Sequence, residues 1–196
     1  DGVQYFNTLN ANTVTANVVT EAVGSPLTRA NTQFGELHGV AGDYFSTPNV
    51  VTTWGELDIR VRAQVDSIPV GYAFLADKAG AFYLSAQAGV GGMRASIAGF
   101  GAVIDSAIVP NFLGVRRWYR MTYSPATGDV KFFTADGNLE APAISDYVQL
   151  GTTINRTGTA IVVNTNGFLA GAYGPNPNFY PFDGDIYRSQ VFNEID

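Results

Sequence analysis

The sequence predicts an all-β protein, built as a two-sheet antiparallel jelly-roll sandwich. Two observations carry this prediction. From about residue 32 onward, short stretches with strand character recur between Gly, Pro and Asn-Gly turn signals, and no stretch has helical periodicity. Residues 56–65 also alternate strictly between polar and apolar side chains, which is typical of an antiparallel strand with one buried face. Such strands bury a common core between two layers.

The alternating strand has two faces of opposite character. We expect its apolar face to line the core, and this face carries Leu57, Ile59, Val61, Ala63 and Val65. The other face should be solvated and form cross-strand ion pairs, and it carries Glu56, Asp58, Arg60, Arg62 and Gln64. Further strands are predicted at 34–40, 44–47, 72–77, 81–87, 93–98, 118–122, 130–134, 146–150, 159–163, 168–172 and 185–192. Residues 99–115 fit either a strand with a long loop or a loop throughout.

Composition excludes several classes of function. The chain has 196 residues, of which 46% are hydrophobic, enough for one domain with a core. Its net charge of −6 gives no footprint for nucleic acid, and no apolar run is long enough for membrane insertion. Without cysteine the chain has no disulfide or thiolate metal site, and its single histidine, His38, excludes His-rich zinc sites and His-based triads. Trp54 and Trp118 fit the core or a sheet edge better than a ligand site.

Residues 7–21 form three five-residue periods, in which Asn is first and an aliphatic residue third. One apolar stripe of this length cannot be buried within a single chain, so the repeat predicts an extended stem wound together with other copies, most simply as a trimer. The alternative is a flexible Asn/Thr linker. We therefore place the stem at 1–24, a linker at 25–34 and the sandwich at 35–196. The only methionines are Met93 and Met121, so we expect further sequence before residue 1.

The second half of the chain resembles a known superfamily. Two aromatic-rich strands at 117–123 and 129–134 flank a Pro/Gly turn, an Asp136-Gly137 turn follows, and 182–193 form a late strand. With the strand at 55–61, these features resemble the laminin-G-like, concanavalin A-like lectin superfamily, most closely its versions in bacteriophage virion proteins. The resemblance covers most of 35–196 and implies a concanavalin A-like jelly roll. Because the superfamily contains lectins, adhesion modules, enzymes and structural virion domains, it leaves function open.

Catalysis is not expected. Glycosidases of this superfamily carry Glu-x-Asp-x-x-Glu along one strand, and the nearest match is Glu56 and Asp58. Val61 stands where the third acid would be, and neighbouring arginines would depress the acids' pKa values. For a polysaccharide lyase, His38 with Tyr44 is the only conceivable starting pair.

A glycan site is predicted in the loop at 173–181, which three prolines stiffen. Aromatic rings suit the C–H face of a sugar, and Asn side chains suit its hydroxyls. The residues we select are Tyr173, Asn176, Asn178, Phe179 and Tyr180. Contact with a neighbouring subunit and local packing remain alternatives for the same loop.

A metal site is the second candidate. Asp183 and Asp185 flank a glycine in the expected loop before the last strand, and Asp43 could approach from the early strands. The resemblance implies calcium as the ion, held by carboxylate and carbonyl oxygens. Plain turn chemistry is the alternative, and no other cofactor is expected.

Together these inferences suggest a non-enzymatic lectin-like head of an oligomeric phage fibre on the virion surface, outside the cell. Its partners would be copies of itself, other virion proteins bound through a preceding region, and host-surface polysaccharide. Three alternatives remain: a structural virion decoration module without a glycan ligand, a glycan-degrading enzyme, and a secreted adhesion domain.

Overall fold

The computed structural model describes residues 4–5, 8–10, 35–38, 44–46, 54–68, 71–89, 91–156, 158–174, 180 and 182–195. Within these ranges the chain forms β-strands and one turn of 3-10 helix at Ile144–Asp146. The strands are β1 (Gln4–Tyr5), β2 (Thr8–Asn10), β3 (Gly35–His38), β4 (Tyr44–Ser46), β5 (Leu57–Ser67), β6 (Tyr72–Lys78), β7 (Phe82–Gln87), β8 (Gly92–Ile97), β9 (Ile104–Ile108), β10 (Arg117–Ser124), β11 (Asp129–Asp136), β12 (Val148–Gln149), β13 (Ile154–Asn155), β14 (Leu169–Ala170) and β15 (Asp183–Phe192). No helix in this part of the chain is long and apolar enough to span a membrane.

These strands form two antiparallel sheets. Sheet A has the order β1-β15-β5-β10-β11-β12, with β3 also beside β15 and β13 beside β11. Sheet B has the order β2-β4-β14-β6-β7-β8-β9. Neighbours in sequence pair as hairpins at β6–β7, β7–β8 and β10–β11, whereas β5 lies between β10 and β15. The predicted all-β, two-sheet antiparallel jelly-roll sandwich is confirmed.

The core lies between the two sheets, and period two in the strands explains which residues line it. The five apolar residues predicted for the inner face of β5 are all fully buried. Tyr119, Met121 and Tyr123 of β10 face them from the neighbouring strand. Trp54 belongs to the same core, with its ring 5.2 Å from that of Phe82, which agrees with the prediction of a core or sheet-edge residue.

Asp58 and Arg62 on the charged face of β5 are buried, and the other residues of this face are only partly exposed, which corrects the expectation that the face is solvated. Asp58 is 0% and Arg62 is 4% exposed. The segment that follows β11 covers this face: Arg62 Nε donates to Gly137 O at 2.7 Å, and the Trp118 indole donates to Leu139 O at 2.8 Å. The expected ion pairs do form across strands, since Asp58 accepts from Arg120 at 2.7 Å.

Several predicted strands are shorter or absent. Residues 159–163 form no strand, because the backbone N–H and C=O of Thr159 bond to the Tyr123 hydroxyl instead of to a neighbouring strand. The strand predicted at 146–150 shrinks to β12, preceded by the 3-10 turn. Residues 99–115 do contain a strand, β9. Asp183 and Asp185 lie within β15 and not in a loop before it, because β15 begins at Asp183.

Two short segments of the predicted stem pair with the sandwich. The backbone of β1 pairs with Gln190 and Val191 of β15, and that of β2 pairs with β4. Residues 11–34, which contain most of the repeat and the linker, lie outside the described ranges. The stem and its boundaries therefore remain predictions.

Gly128 closes the β10–β11 hairpin at a position where a side chain has no room. Its φ is 77°, and a Cβ there would overlap the Arg156 carbonyl oxygen. We expect Gly128→Ala to lower the free energy of unfolding by roughly 3 kcal/mol, from backbone strain together with the steric overlap. Gly101→Ala is the matched control, because its φ of 69° is similar but the space around it is open. Equal losses in urea unfolding of the two variants would contradict the steric argument.

Candidate functional site

Five aromatic rings gather on the outer side of sheet B. They belong to Tyr72 and Phe74 of β6, Tyr83 of β7, and Tyr173 and Tyr180, and we call this surface the aromatic face. Alternation along β6 puts Tyr72 and Phe74 on the same side, opposite the core residues Ala73 and Leu75. Tyr173 and Tyr180 reach this face from the two ends of the 173–181 loop.

Phe74 is the centre of the aromatic face. Its ring is 4.9 Å from that of Tyr173 and 5.1 Å from that of Tyr83. Phe74 is 3% exposed, whereas the four tyrosines are half-buried. Burial raises the pKa of Tyr83 to about 12, so its hydroxyl stays neutral at physiological pH. The result is an apolar floor surrounded by hydroxyl groups that can donate or accept hydrogen bonds.

An ion pair borders the aromatic face. Arg94 of β8 and Asp105 of β9 are register partners, and Arg94 donates to both Asp105 oxygens, at 2.6 and 2.7 Å. Its remaining terminal nitrogen donates to the Tyr72 hydroxyl at 2.8 Å. The hydrogen bonds from Arg94 to Asp105 raise the pKa of Arg94, so the guanidinium is always charged.

A buried carboxyl group anchors the 173–181 loop where it starts. Asp77 of β6 is 2% exposed and accepts a hydrogen bond from Gly174 N–H at 2.8 Å. Burial raises the pKa of Asp77 to about 7, and the hydrogen bond from Gly174 opposes this rise. Gly174 is needed here, because a Cβ would overlap the Asp77 carboxyl oxygen.

Of the residues predicted for a glycan site, Tyr173 and Tyr180 lie together, with their rings 6.0 Å apart. Asn176, Asn178 and Phe179 lie outside the described residues, so their part in the site remains a prediction.

Sequence reasoning missed most of the aromatic face, including Tyr72, Phe74, Tyr83 and Arg94. Period-two alternation within the predicted strands at 72–77 and 81–87 could have put Tyr72 and Phe74 on one face. It could not have shown which strands are neighbours.

The predicted metal ligands lie on sheet A. Asp183 accepts a hydrogen bond from the Ser67 hydroxyl, and Asp185 accepts one from the Tyr187 hydroxyl at 3.0 Å. Asp43 lies outside the described residues. Within the described part of the chain, no three Asp, Glu, His or Cys residues gather closely enough to hold an ion. The calcium site stays a prediction, with two of its three carboxylates placed.

The two carboxylates of the glycosidase-like match have structural partners. Asp58 is paired with Arg60 and Arg120, and Glu56 accepts a hydrogen bond from Ile195 N–H at 3.2 Å. Asp58 is also fully buried, so it does not face a substrate.

No protein-family model matches the sequence, and no curated protein matches it either. Solved structures do match in fold. The CBM40 domain of the Ruminococcus gnavus IT-sialidase, bound to α2,3-sialyllactose, aligns with a TM-score of 0.53 and 13% identity over 77% of this chain and 92% of that one. The heptameric pentraxin of Limulus polyphemus aligns with a TM-score of 0.56 and 14% identity over 82% of this chain and 76% of that one. Domain 4 of the Geobacillus stearothermophilus arabinanase AbnA, in complex with arabinotriose, aligns with a TM-score of 0.53 and 12% identity over 96% of this chain and 81% of that one. The chain therefore has the lectin-like jelly-roll fold of these domains.

Proposed function

We propose that this domain is a non-catalytic carbohydrate-binding module, and that the aromatic face of sheet B is its glycan site. The observation that carries the proposal is the grouping of Tyr72, Phe74, Tyr83, Tyr173 and Tyr180 on the outer side of sheet B, where the four tyrosines are partly exposed. Sugars offer an apolar C–H face and a rim of hydroxyls, and an apolar floor edged by phenol groups complements both.

The opposite side of the sandwich is less suited to a ligand. The segment after β11 lies over sheet A, where Tyr147 is 9% and Trp118 is 1% exposed. The charges of this side are largely matched internally, as in the Asp58–Arg120 and Arg62–Glu140 pairs. A glycan would have to displace that cover, whereas the four tyrosines of the aromatic face on sheet B are already partly exposed.

Two findings support a non-catalytic role. The best carboxylate pair, Glu56 and Asp58, is occupied by structural contacts. The solved domains of similar fold include one bound to sialyllactose and one bound to arabinotriose. A binding module agrees with both observations.

We further propose that the domain is the head of an oligomeric, trimeric fibre on a phage virion, where it attaches to host-surface polysaccharide. The support is the Asn/Thr/Val repeat at 7–21 and the sequence resemblance to virion proteins. A structural decoration module is the second candidate. It is favoured by exposed aliphatic residues near the sheet edges, where Ile108 of β9 is 70% and Val148 of β12 is 68% exposed.

Titration against a panel of bacterial polysaccharides tests the glycan proposal. We expect at least one specific signal, and about tenfold weaker binding of that glycan by Tyr83→Ala and by Tyr173→Ala, because each loses a stacking surface. Tyr187→Ala is the matched control, since it removes a half-buried tyrosine from sheet A. Thermal unfolding of the three variants checks that each is folded. If no polysaccharide of the panel binds, the decoration module is favoured. If Tyr187→Ala weakens glycan binding as much as the other two variants do, the result would contradict a glycan site on sheet B.

A further inference from the structure

We infer that the aromatic face selects uncharged glycans, and that the Arg94–Asp105 pair sets this selectivity. The inference rests on the proposed function and specifies the ligand class of the same site. Its basis is the orientation of a single guanidinium group beside the rings.

Arg94 has the residue type that would normally capture an acidic sugar. A uronate or sialate carboxylate is best held by two parallel N–H donors of an arginine. In this structure Asp105 already occupies that position, with Nε to one of its oxygens at 2.6 Å and Nη2 to the other at 2.7 Å. Nη1 is also engaged, by the Tyr72 hydroxyl. The N–H donors of Arg94 that would bind an acidic ligand are therefore already hydrogen-bonded to Asp105 and Tyr72.

The side chains of Arg94 and Asp105 also differ in their exposure to solvent, and this difference disfavours an acidic ligand as well. The Arg94 side chain is 14% exposed, and that of Asp105 is 39% exposed. The carboxylate is thus more accessible to solvent than the guanidinium. Carboxylate oxygens accept hydrogen bonds from sugar hydroxyls, but they repel a second carboxylate or a sulfate.

Within the described part of the chain, the elements around the aromatic face supply no free positive charge. The loop at 173–181 contains no charged residue at all. Asp77, at the base of this loop, adds negative charge when ionised. Lys78 of β6 is buried, and its ammonium donates to Asn166 O and lies 4.7 Å from the Phe168 ring centre. Among the described side chains around the aromatic face, charge thus disfavours an anionic ligand.

Matched oligosaccharides test the inference directly. We would titrate the protein calorimetrically with β-1,4-mannan and β-1,4-mannuronan oligomers, and with β-1,4-glucan and β-1,4-glucuronan oligomers, beside the best neutral binder of the polysaccharide panel. Wild type should bind neutral members at least tenfold more tightly than their acidic counterparts. Asp105→Asn frees the Arg94 fork, so this variant should gain about tenfold or more in affinity for an acidic member. Asp66→Asn removes the same charge from an exposed site on β5 and should change neither affinity.

The outcomes separate the inference from the proposed function. If wild type prefers acidic members, and Arg94→Gln abolishes that preference, Arg94 is an anion anchor and the inference is wrong while the glycan site stands. If Asp105→Asn is folded and gains no acidic affinity, the pair does not set selectivity. If neither wild type nor variant binds any probe or polysaccharide, the proposed function fails together with the inference. If Asp105→Asn does not fold, Arg94→Gln still tests the inference. Under the inference, Arg94→Gln should bind neutral oligosaccharides more tightly than acidic ones, as the wild type does.

Discussion

Asp58→Ala is expected to lower the free energy of unfolding by about 3–5 kcal/mol, because it leaves a buried guanidinium without a counter-ion. Asp58 accepts from Arg120 Nε at 2.9 Å and from Arg120 Nη2 at 2.7 Å, and the two residues are 0% and 2% exposed. The Arg120 guanidinium also stacks 5.2 Å from the ring centres of both Phe133 and Tyr147. It therefore cannot reach water without opening the cover of sheet A.

Urea unfolding at neutral pH measures this effect. Asp66→Ala, which removes an exposed carboxylate from the same strand, should lose less than about 1 kcal/mol. The double variant Asp58→Ala/Arg120→Met should recover part of the loss, because it removes the buried guanidinium together with its counter-ion, while Arg60, 12% exposed, still loses its bond to Asp58. A loss below 1 kcal/mol for Asp58→Ala alone would show that Arg120 is more accessible to water than the structure indicates.

Asp77→Asn is expected to remove a large pH dependence of stability. Burial raises the pKa of Asp77 from 3.8 to about 7 in the folded protein. The folded state therefore holds a proton that the unfolded state releases, and stability is fully present below pH 3.8 and is lost as the pH rises through 7. At about 1.4 kcal/mol for each pKa unit, the loss is on the order of 4 kcal/mol.

Unfolding free energies of the two proteins at fixed salt, from pH 4 to pH 8, measure the difference. The wild type should lose stability over this range relative to Asp77→Asn, and the variant should be the more stable protein at pH 8. The asparagine Oδ1 can still accept the Gly174 N–H, so the anchor of the 173–181 loop is retained. Asp66→Asn, a change at an exposed aspartate, should keep the wild-type profile. Parallel curves for wild type and Asp77→Asn would contradict a raised pKa.

Features that depend on local pattern could be predicted from the sequence. The inner face of β5 and the β10–β11 hairpin were found because period two and turn residues are properties of a single stretch of chain. Trp54 and Trp118 were expected in the core or at a sheet edge, and both are buried. The fold class followed from such local signals.

Features that depend on distant segments could not be predicted. Asp58 is buried because residues after β11 lie over it. The alternation within β5 alone predicts a solvated polar face. Residues 159–163 have strand composition, but the backbone N–H and C=O of Thr159 bond to the hydroxyl of the distant Tyr123. The aromatic face brings residues 72, 83 and 173 together only through sheet pairing, so the sequence pointed to the loop and missed the strands behind it.

Chemical-shift mapping with the best-binding neutral oligosaccharide tests the central claim most directly. Titration of ¹⁵N-labelled protein should perturb the amides of Tyr72, Tyr83, Arg94 and Tyr173 in a saturable manner, with little change on sheet A. Perturbations confined to the outer side of sheet A, around Arg62, Trp118 and Tyr187, would contradict a glycan site on the aromatic face.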